Sequence, residues 1–437
     1  MIMMTRRRLL GTAALATAAA GLPGRAFAQN PADEAAIDRL LRQAAENRRV
    51  PGVVALAATD RGTLYEGAFG RRKLPDGPAM TLDTVFWIAS MTKAVTSAAA
   101  MQLVEQGKLQ LDQPISDTLP ELKSPQVLEG FDASGAPRLR PARRPITLRH
   151  LLTHTAGFSY DVWNADIGRY MEHAGVPGVI TVKNDALRTP LVFDPGERWE
   201  YGINIDWVGK AVERVSDQSL EAYFREHIFA PLDMEDTGFK ISPSMRERLV
   251  TMHARQADGS FQPIEFEIPQ EPEFFMGGGG LYSTGPDYLR FCQVFLHEGR
   301  FNGAQILKPE TVAMMSRNQI GDIEVGLLKT VQPESSNDAE FFPGTVKRWG
   351  LGFMINEEEA PTGRSAGSLA WAGLANTYFW IDPKRRVTGV ILTQLLPFAD
   401  GEVLRLFEQF EGEVYEASRA ARGRPGRVRR RPGCSGW

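Results

Sequence analysis

The chain has 437 residues, 43% of them hydrophobic and 24% charged, with a net charge of −3 at neutral pH. That is enough sequence to bury a large core, in one big domain or two entwined ones, and the balance is that of ordinary globular protein. A mildly acidic chain gives no electrostatic reason to expect nucleic acid as a partner.

Residues 1–28 read as a signal peptide. Thr5-Arg6-Arg7-Arg8-Leu9-Leu10 is a basic start with twin-arginine character, a small-residue apolar stretch runs from Gly11 to Gly21, and Ala26-Phe27-Ala28 supplies a small-x-small cleavage pattern. The apolar stretch is too short for a permanent span, so the expected product is exported, periplasmic or secreted, with no stable membrane span. Losing Arg6, Arg7, Arg8 and Arg25 would make the remainder more acidic. The two cysteines, Cys292 and Cys434, do not amount to a disulfide framework. Cys292 lies in the apolar helical run Tyr288 to Leu296 and is expected to be a buried, inert thiol.

Asp33 to Arg48 carries Ile37, Leu40, Leu41 and Ala44 at helical spacing. Two strand-like runs follow, 52–58 and 63–70, parted by Asp60-Arg61-Gly62. Ser90 to Gly107 predicts a helix that is apolar nearly all round, hence central and buried, with Gly107 as its stop. Residues 116–299 are rich in helical patterns and loops. Strands return at 351–355, 368–373, 377–381 and 387–395, and an amphipathic helix over 401–417 follows. The expected fold is α+β, an α/β sandwich. Its mostly antiparallel sheet, flanked by helices, is built from both chain ends (29–115 and 300–418), with a mainly helical region (116–299) inserted. Residues 419–437 hold seven arginines and read as a basic, disordered tail.

The chemistry centres on Ser90-Met91-Thr92-Lys93. One helical turn brings residues i and i+3 to the same face, which sets the Lys93 amine beside the Ser90 hydroxyl. Serine is a poor nucleophile until a neighbour takes its proton, and lysine can do so only if its pKa falls well below about 10.4. Burial and the positive end of the helix both push it down, and Val85-Phe86-Trp87-Ile88-Ala89 supplies apolar surroundings. Alone, the tetrapeptide is a weak signal and is better explained by a serine N-cap followed by a snorkelling lysine.

The wider pattern resolves that choice. Phe86 to Lys93, Leu103-Val104-Glu105-Gln106-Gly107-Lys108-Leu109 and Asp112-Gln113-Pro114-Ile115 come first. Leu151-Leu152-Thr153-His154-Thr155-Ala156-Gly157 and Pro195-Gly196 before Tyr201 follow. Then come Pro231-Leu232-Asp233-Met234 with Asp236-Thr237-Gly238-Phe239, and Gly278-Gly279-Gly280-Leu281-Tyr282-Ser283-Thr284. Together, across residues 35–415, they resemble the serine β-lactamase and penicillin-binding protein superfamily, in its class C-like esterase branch (family VIII carboxylesterases). The resemblance implies an acyl-enzyme on Ser90 with Lys93 and Tyr201 as general base and acid. An adjacent cation is expected to ease loss of the Tyr201 proton. The family's Tyr-x-Asn loop is here Tyr201-Gly202-Ile203. Ile203 lacks the amide, a departure that favours esters over β-lactams or peptides. The family's strand triad falls at Trp371-Ala372-Gly373. Trp371 offers an aromatic wall with one N–H donor, and Gly373 allows close approach of substrate. By analogy, the backbone N–H groups of Ser90 and Leu374 form the oxyanion hole, and Trp371, Ala372, Gly373 and Ile203 meet the substrate.

Two decoys remain. Gly363-Arg364-Ser365-Ala366-Gly367 fits the nucleophile-elbow pattern, but it follows a polar loop, leads into a strand and has no histidine after it. His150 and His154 have a zinc-like spacing without the glutamate or a third ligand, and read as structural. The expectation is a serine carboxylesterase acting on small-molecule esters, with no metal or organic cofactor and an oligomeric state that the sequence leaves open. A β-lactamase or D-alanyl-D-alanine carboxypeptidase and an acyltransferase of the same fold are the alternatives, with a non-enzymatic binding protein behind them. Pocket shape is expected to depend on residues 125–200.

Overall fold

The computed structural model describes residues 31–422. The signal-like start, Cys434 and the arginine-rich residues past 422 lie outside the described residues.

Helix α1 (Pro31–Glu46) leads into the hairpin β1 (Gly52–Thr59) and β2 (Gly62–Gly70). Helix α2 (Thr92–Glu105) carries the Lys93 segment and stops just before Gly107, whose φ of 71° is the left-handed conformation that glycine adopts without cost. Helix α3 (Asn204–Ser216) follows Tyr201, and α4 (Gly285–Leu296) contains Cys292. Strands β3 (Lys347–Trp349), β4 (Met354–Asn356), β5 (Leu369–Gly373), β6 (Thr377–Asp382) and β7 (Val387–Leu392) then precede α5 (Gly401–Arg422).

All seven strands form one sheet in the order β3-β4-β5-β6-β7-β1-β2, antiparallel throughout. The α+β expectation holds: residues from near both ends of the chain share one sheet. Strands β5, β6 and β7 are buried along their whole length because helices cover both faces, and their near-continuous apolar runs reflect that. Successive β6 side chains split between the two layers. Tyr378 and Trp380 meet Phe407 and Phe410 of α5, with ring centroids 4.9 and 5.8 Å apart, while Phe379 meets Tyr288 of α4 at 5.2 Å.

Several predicted boundaries move. Ser90 sits in a 3₁₀ turn (Ala89–Met91) ahead of α2 rather than in its first α-turn. The run after Val387 ends at Leu392, and Leu395–Leu396 leaves to pair with Met252–Arg255 in a smaller sheet. Strand β3 was not predicted, and the 351–355 prediction reduces to β4. Helix α5 continues through Arg422, beyond the expected end of structure at 418.

The decoy at residues 363–367 has a structural role. The Arg364 guanidinium binds both oxygens of Glu411 at 2.7 Å, and both side chains are buried. Ser365 N–H donates to Asp382 Oδ2 at 2.9 Å, and β5 follows, not a helix. Removing one member of such a pair leaves a buried uncompensated charge, which costs about 3–5 kcal/mol. Arg364→Ala should therefore lower the urea unfolding midpoint by a corresponding amount. A loss below about 1 kcal/mol, typical of exposed pairs, would contradict this reading.

Candidate active site

Three structural contacts fix the turn that carries Ser90. Phe86–Trp87 pairs antiparallel with Tyr282–Ser283. The Gln394 side chain accepts from Trp87 N–H at 2.8 Å and donates to Trp87 O at 3.1 Å. The end of β5 presses on the turn: a Cβ on Gly373 would lie 2.3 Å from Ile88 O, so only glycine fits. Ala89, just before the serine, holds φ at 44°, a strained value for a residue with a Cβ.

Lys93 is 0% exposed. Its Nζ lies 3.1 Å from Ser90 Oγ, 3.1 Å from Tyr160 Oη and 2.6 Å from Gly278 O. An ammonium would donate to all three. A neutral amine needs to donate only to Gly278 O and Tyr160 Oη, leaving its lone pair to accept the Ser90 proton. Both protonation states therefore satisfy the same geometry, and only the Ser90–Lys93 bond changes direction. Burial drives the lysine pKa well below its ordinary range, and the Asp206 carboxylate opposes part of that shift.

The glycine run 277–280 allows this approach. Gly277 O accepts from Thr96 Oγ1 at 2.7 Å, Gly278 O from Lys93, and Gly279 O from Trp87 Nε1 at 2.7 Å. Gly278 N–H donates to Asp206 Oδ1 at 2.9 Å. A Cβ at 278 would lie 2.6 Å from Asp206 Oδ2.

Tyr201 is buried beside these groups. Its hydroxyl accepts from Trp371 Nε1 at 3.0 Å, and the nearby Ser90 hydroxyl also favours its ionised form. Lys93 Nζ meets the face of the Tyr201 ring, 4.6 Å from its centroid; among the described hydrogen bonds, the phenol that receives the amine is Tyr160. The expectation of an easily ionised Tyr201 is overturned. Burial raises its pKa above the usual phenol range, and Ser90 and Trp371 offset only part of that. At neutral pH Tyr201 keeps its proton. The rings of His154, Tyr160, Trp163 and Trp371 surround it, with centroids 4.9–5.5 Å away.

Of the other predicted positions, Leu374 follows β5 next to the Ser90 turn, whereas Ala372 and Ile203 are buried, in β5 and at the start of α3. Trp371 lies at the site, but its N–H is engaged by Tyr201. His150 Nδ1 accepts from Thr147 N–H at 3.2 Å, and His154 Nδ1 meets Asn204 Nδ2 at 3.0 Å. These are separate local bonds, and burial lowers both imidazole pKa values. Cys292 is buried, and burial raises its thiol pKa.

Sequence reasoning missed Tyr160, Asp206 and one wall of the site. That wall comes from the long connection 316–346, not from residues 125–200 alone. Val331 N–H donates to Val162 O at 2.9 Å, Trp163 Nε1 donates to Ser336 Oγ at 3.1 Å, and Phe341 lies 5.7 Å from Trp371. The available signal for Asp206 was an acid inside the apolar run Ile203-Asn204-Ile205-Asp206-Trp207-Val208.

Residues 37–411 match the Beta-lactamase family. The chain belongs to that family. It is an enzyme of the serine hydrolase and acyltransferase kind built on the family's fold. It is similar to monacolin J acid methylbutanoyltransferase of Aspergillus terreus, 33% identical over 398 residues, covering 87% of this chain and 95% of the relative. It is also similar to lovastatin esterase of Penicillium rubens, 30% identical over 405 residues, covering 89% of this chain and 100% of the relative. Among solved structures, the LovD9 mutant of simvastatin synthase from Aspergillus terreus superposes with a TM-score of 0.77 at 31% identity, covering 89% of this chain and 100% of that one.

Trp371→Phe keeps an aromatic side chain, though a smaller one, and removes the N–H that reaches Tyr201. Loss of a buried hydrogen bond, about 1.5 kcal/mol, should slow fluorophosphonate labelling of Ser90 about ten-fold in protein that is still folded, while the smaller ring leaves a cavity that lowers the melting temperature. An unchanged labelling rate would show that the indole N–H is not needed.

Proposed function

We propose that this enzyme cleaves carboxylic esters of small molecules through an acyl-enzyme on Ser90. The observation that carries this reading is the fully buried Lys93 amine, 3.1 Å from Ser90 Oγ and held there by two further partners.

In the proposed cycle, neutral Lys93 takes the Ser90 proton as Oγ attacks the ester carbonyl. The backbone N–H groups of Ser90 and Leu374 hold the oxyanion, with about 3 kcal/mol of transition-state stabilisation from each. The acyl–oxygen bond breaks, and the departing alkoxide recovers the proton through the Lys93/Tyr201 pair. Tyr201, kept neutral by burial, is suited to relaying a proton rather than accepting one permanently. Water then enters and gives its proton to Lys93 as it attacks the acyl carbonyl; the acyl–Oγ bond breaks, Ser90 Oγ takes that proton back from Lys93, and the acid leaves. The aromatic surroundings of Trp163, Phe341 and Trp371 favour an apolar acyl or alcohol group. Ile203, in place of an amide, weakens the case for β-lactams and peptides.

A second reading is transfer of the acyl group to an alcohol in place of water. It is favoured by the 33% identity to a methylbutanoyltransferase across 87% of the chain. The two readings share every step up to the acyl-enzyme and differ only in the acceptor.

The test is a p-nitrophenyl acyl series beside nitrocefin, with and without an alcohol acceptor and with products identified by mass. Wild type should turn over the esters, and Ser90→Ala should lose about a thousand-fold or more. Activity should fall as pH drops and Lys93 becomes charged, because the base form is then lost. The free acid as product with acceptor present supports hydrolysis, whereas a new ester supports transfer. Rapid nitrocefin turnover with idle esters would sink both.

A further inference from the structure

Lys93 is not the only ionisable group sealed in this site. Asp206, in the first turn of α3, is 0% exposed. Its Oδ1 accepts the Gly278 N–H at 2.9 Å, while Oδ2 is buried without a hydrogen-bond partner. The C=O of the same glycine accepts from Lys93 Nζ at 2.6 Å. One glycine thus stands between a buried acid and a buried amine, and a side chain at 278 would collide with the carboxylate. A lone buried charge costs several kcal/mol. A carboxylate with one unpaired oxygen is tolerable here only with a cation close by. The steps proposed above give Asp206 no proton to carry, so its place in the site calls for another explanation.

We infer that Asp206 is a positioning residue whose buried charge sets the protonation state of Lys93, with Gly278 as the fixed spacer between them. This rests on the acyl-enzyme reading above. With Asp206 ionised, the Lys93 ammonium is stabilised and the amine is freed at a higher pH than burial alone would set. Without that charge, burial alone acts on the amine and favours its neutral form. The other groups facing Lys93 are Ser90 on its own turn, Tyr160 from the segment after the short helix Leu148–Leu152, Tyr201 ahead of α3, and His154. Burial raises both phenol pKa values and lowers that of the imidazole, so all three stay neutral. Asp206 is then the charge that answers the amine, and the electrostatic influence runs both ways.

The experiment is the pH dependence of Ser90 labelling by a fluorophosphonate in the full-length protein, wild type against Asp206→Asn. Asparagine keeps an oxygen for Gly278 N–H and removes the charge. The acidic limb should move to lower pH by about one to three units, the size of a nearby-charge effect. Asp206→Glu should bring it back toward wild type. Superimposable limbs that differ only in height would overturn the inference, as would a folded Asp206→Asn that is unlabelled at every pH. If Asp206→Asn does not fold, 13C NMR of the Asp206 carboxyl decides. Its titration should move to higher pH in Lys93→Met, and an unmoved midpoint would overturn the coupling. Wild type that is not labelled on Ser90 at all would instead bring down the acyl-enzyme reading itself.

Discussion

An amine held dry against a hydroxyl is the constraint on which the rest of this structure depends. Lysine in water is charged and cannot accept a proton at neutral pH. The protein removes that obstacle by taking Lys93 out of water completely while giving it three oxygen partners in fixed places. Helix α2 is buried around most of its circumference because its residues are apolar nearly all round, and that burial keeps water from Lys93. Three side chains reach the backbone carbonyls of Gly277, Gly278 and Gly279, and a Cβ at 278 would collide with Asp206.

The same requirement explains what packs around the site. The sheet brings the end of β5 against the turn that carries Ser90, at a separation only glycine permits. The indole of Trp371, one strand-repeat before that glycine, then reaches Tyr201. Rings from the stretch 154–163 and from β5 enclose the phenol, which is buried. The cost of that enclosure is a tyrosine that resists ionisation.

Much of this was legible in the sequence wherever the signal was local. Spacing set Ser90 and Lys93 on one face, and the resemblance carried by the ordered motifs around them chose the catalytic reading over a serine N-cap. The alternation of strand and turn residues located β1, β2, β5 and β6 to within a residue or two, and the apolar character of α2 foretold its burial. What escaped depends on contacts between distant segments. Tyr160 lies 67 residues from Lys93 in sequence and in a stretch without regular structure, so no periodicity marked it. Asp206 stands on the α3 face turned toward Gly278, a placement that needs the helix, the glycine run and α2 together. The wall from residues 328–341 has no pattern of its own and is held by bonds to residues 162, 163 and 398. The expectation for Tyr201 fails for the same reason: the desolvation that raises its pKa appears only once the aromatic cage is assembled.

The most direct test of a dry, base-competent amine is to follow Lys93 itself by 15N NMR, assigned through Lys93→Met. The account predicts that its nitrogen changes from ammonium to amine at a pH well below the range of the exposed lysines. A Lys93 signal that stays charged alongside them would contradict the account.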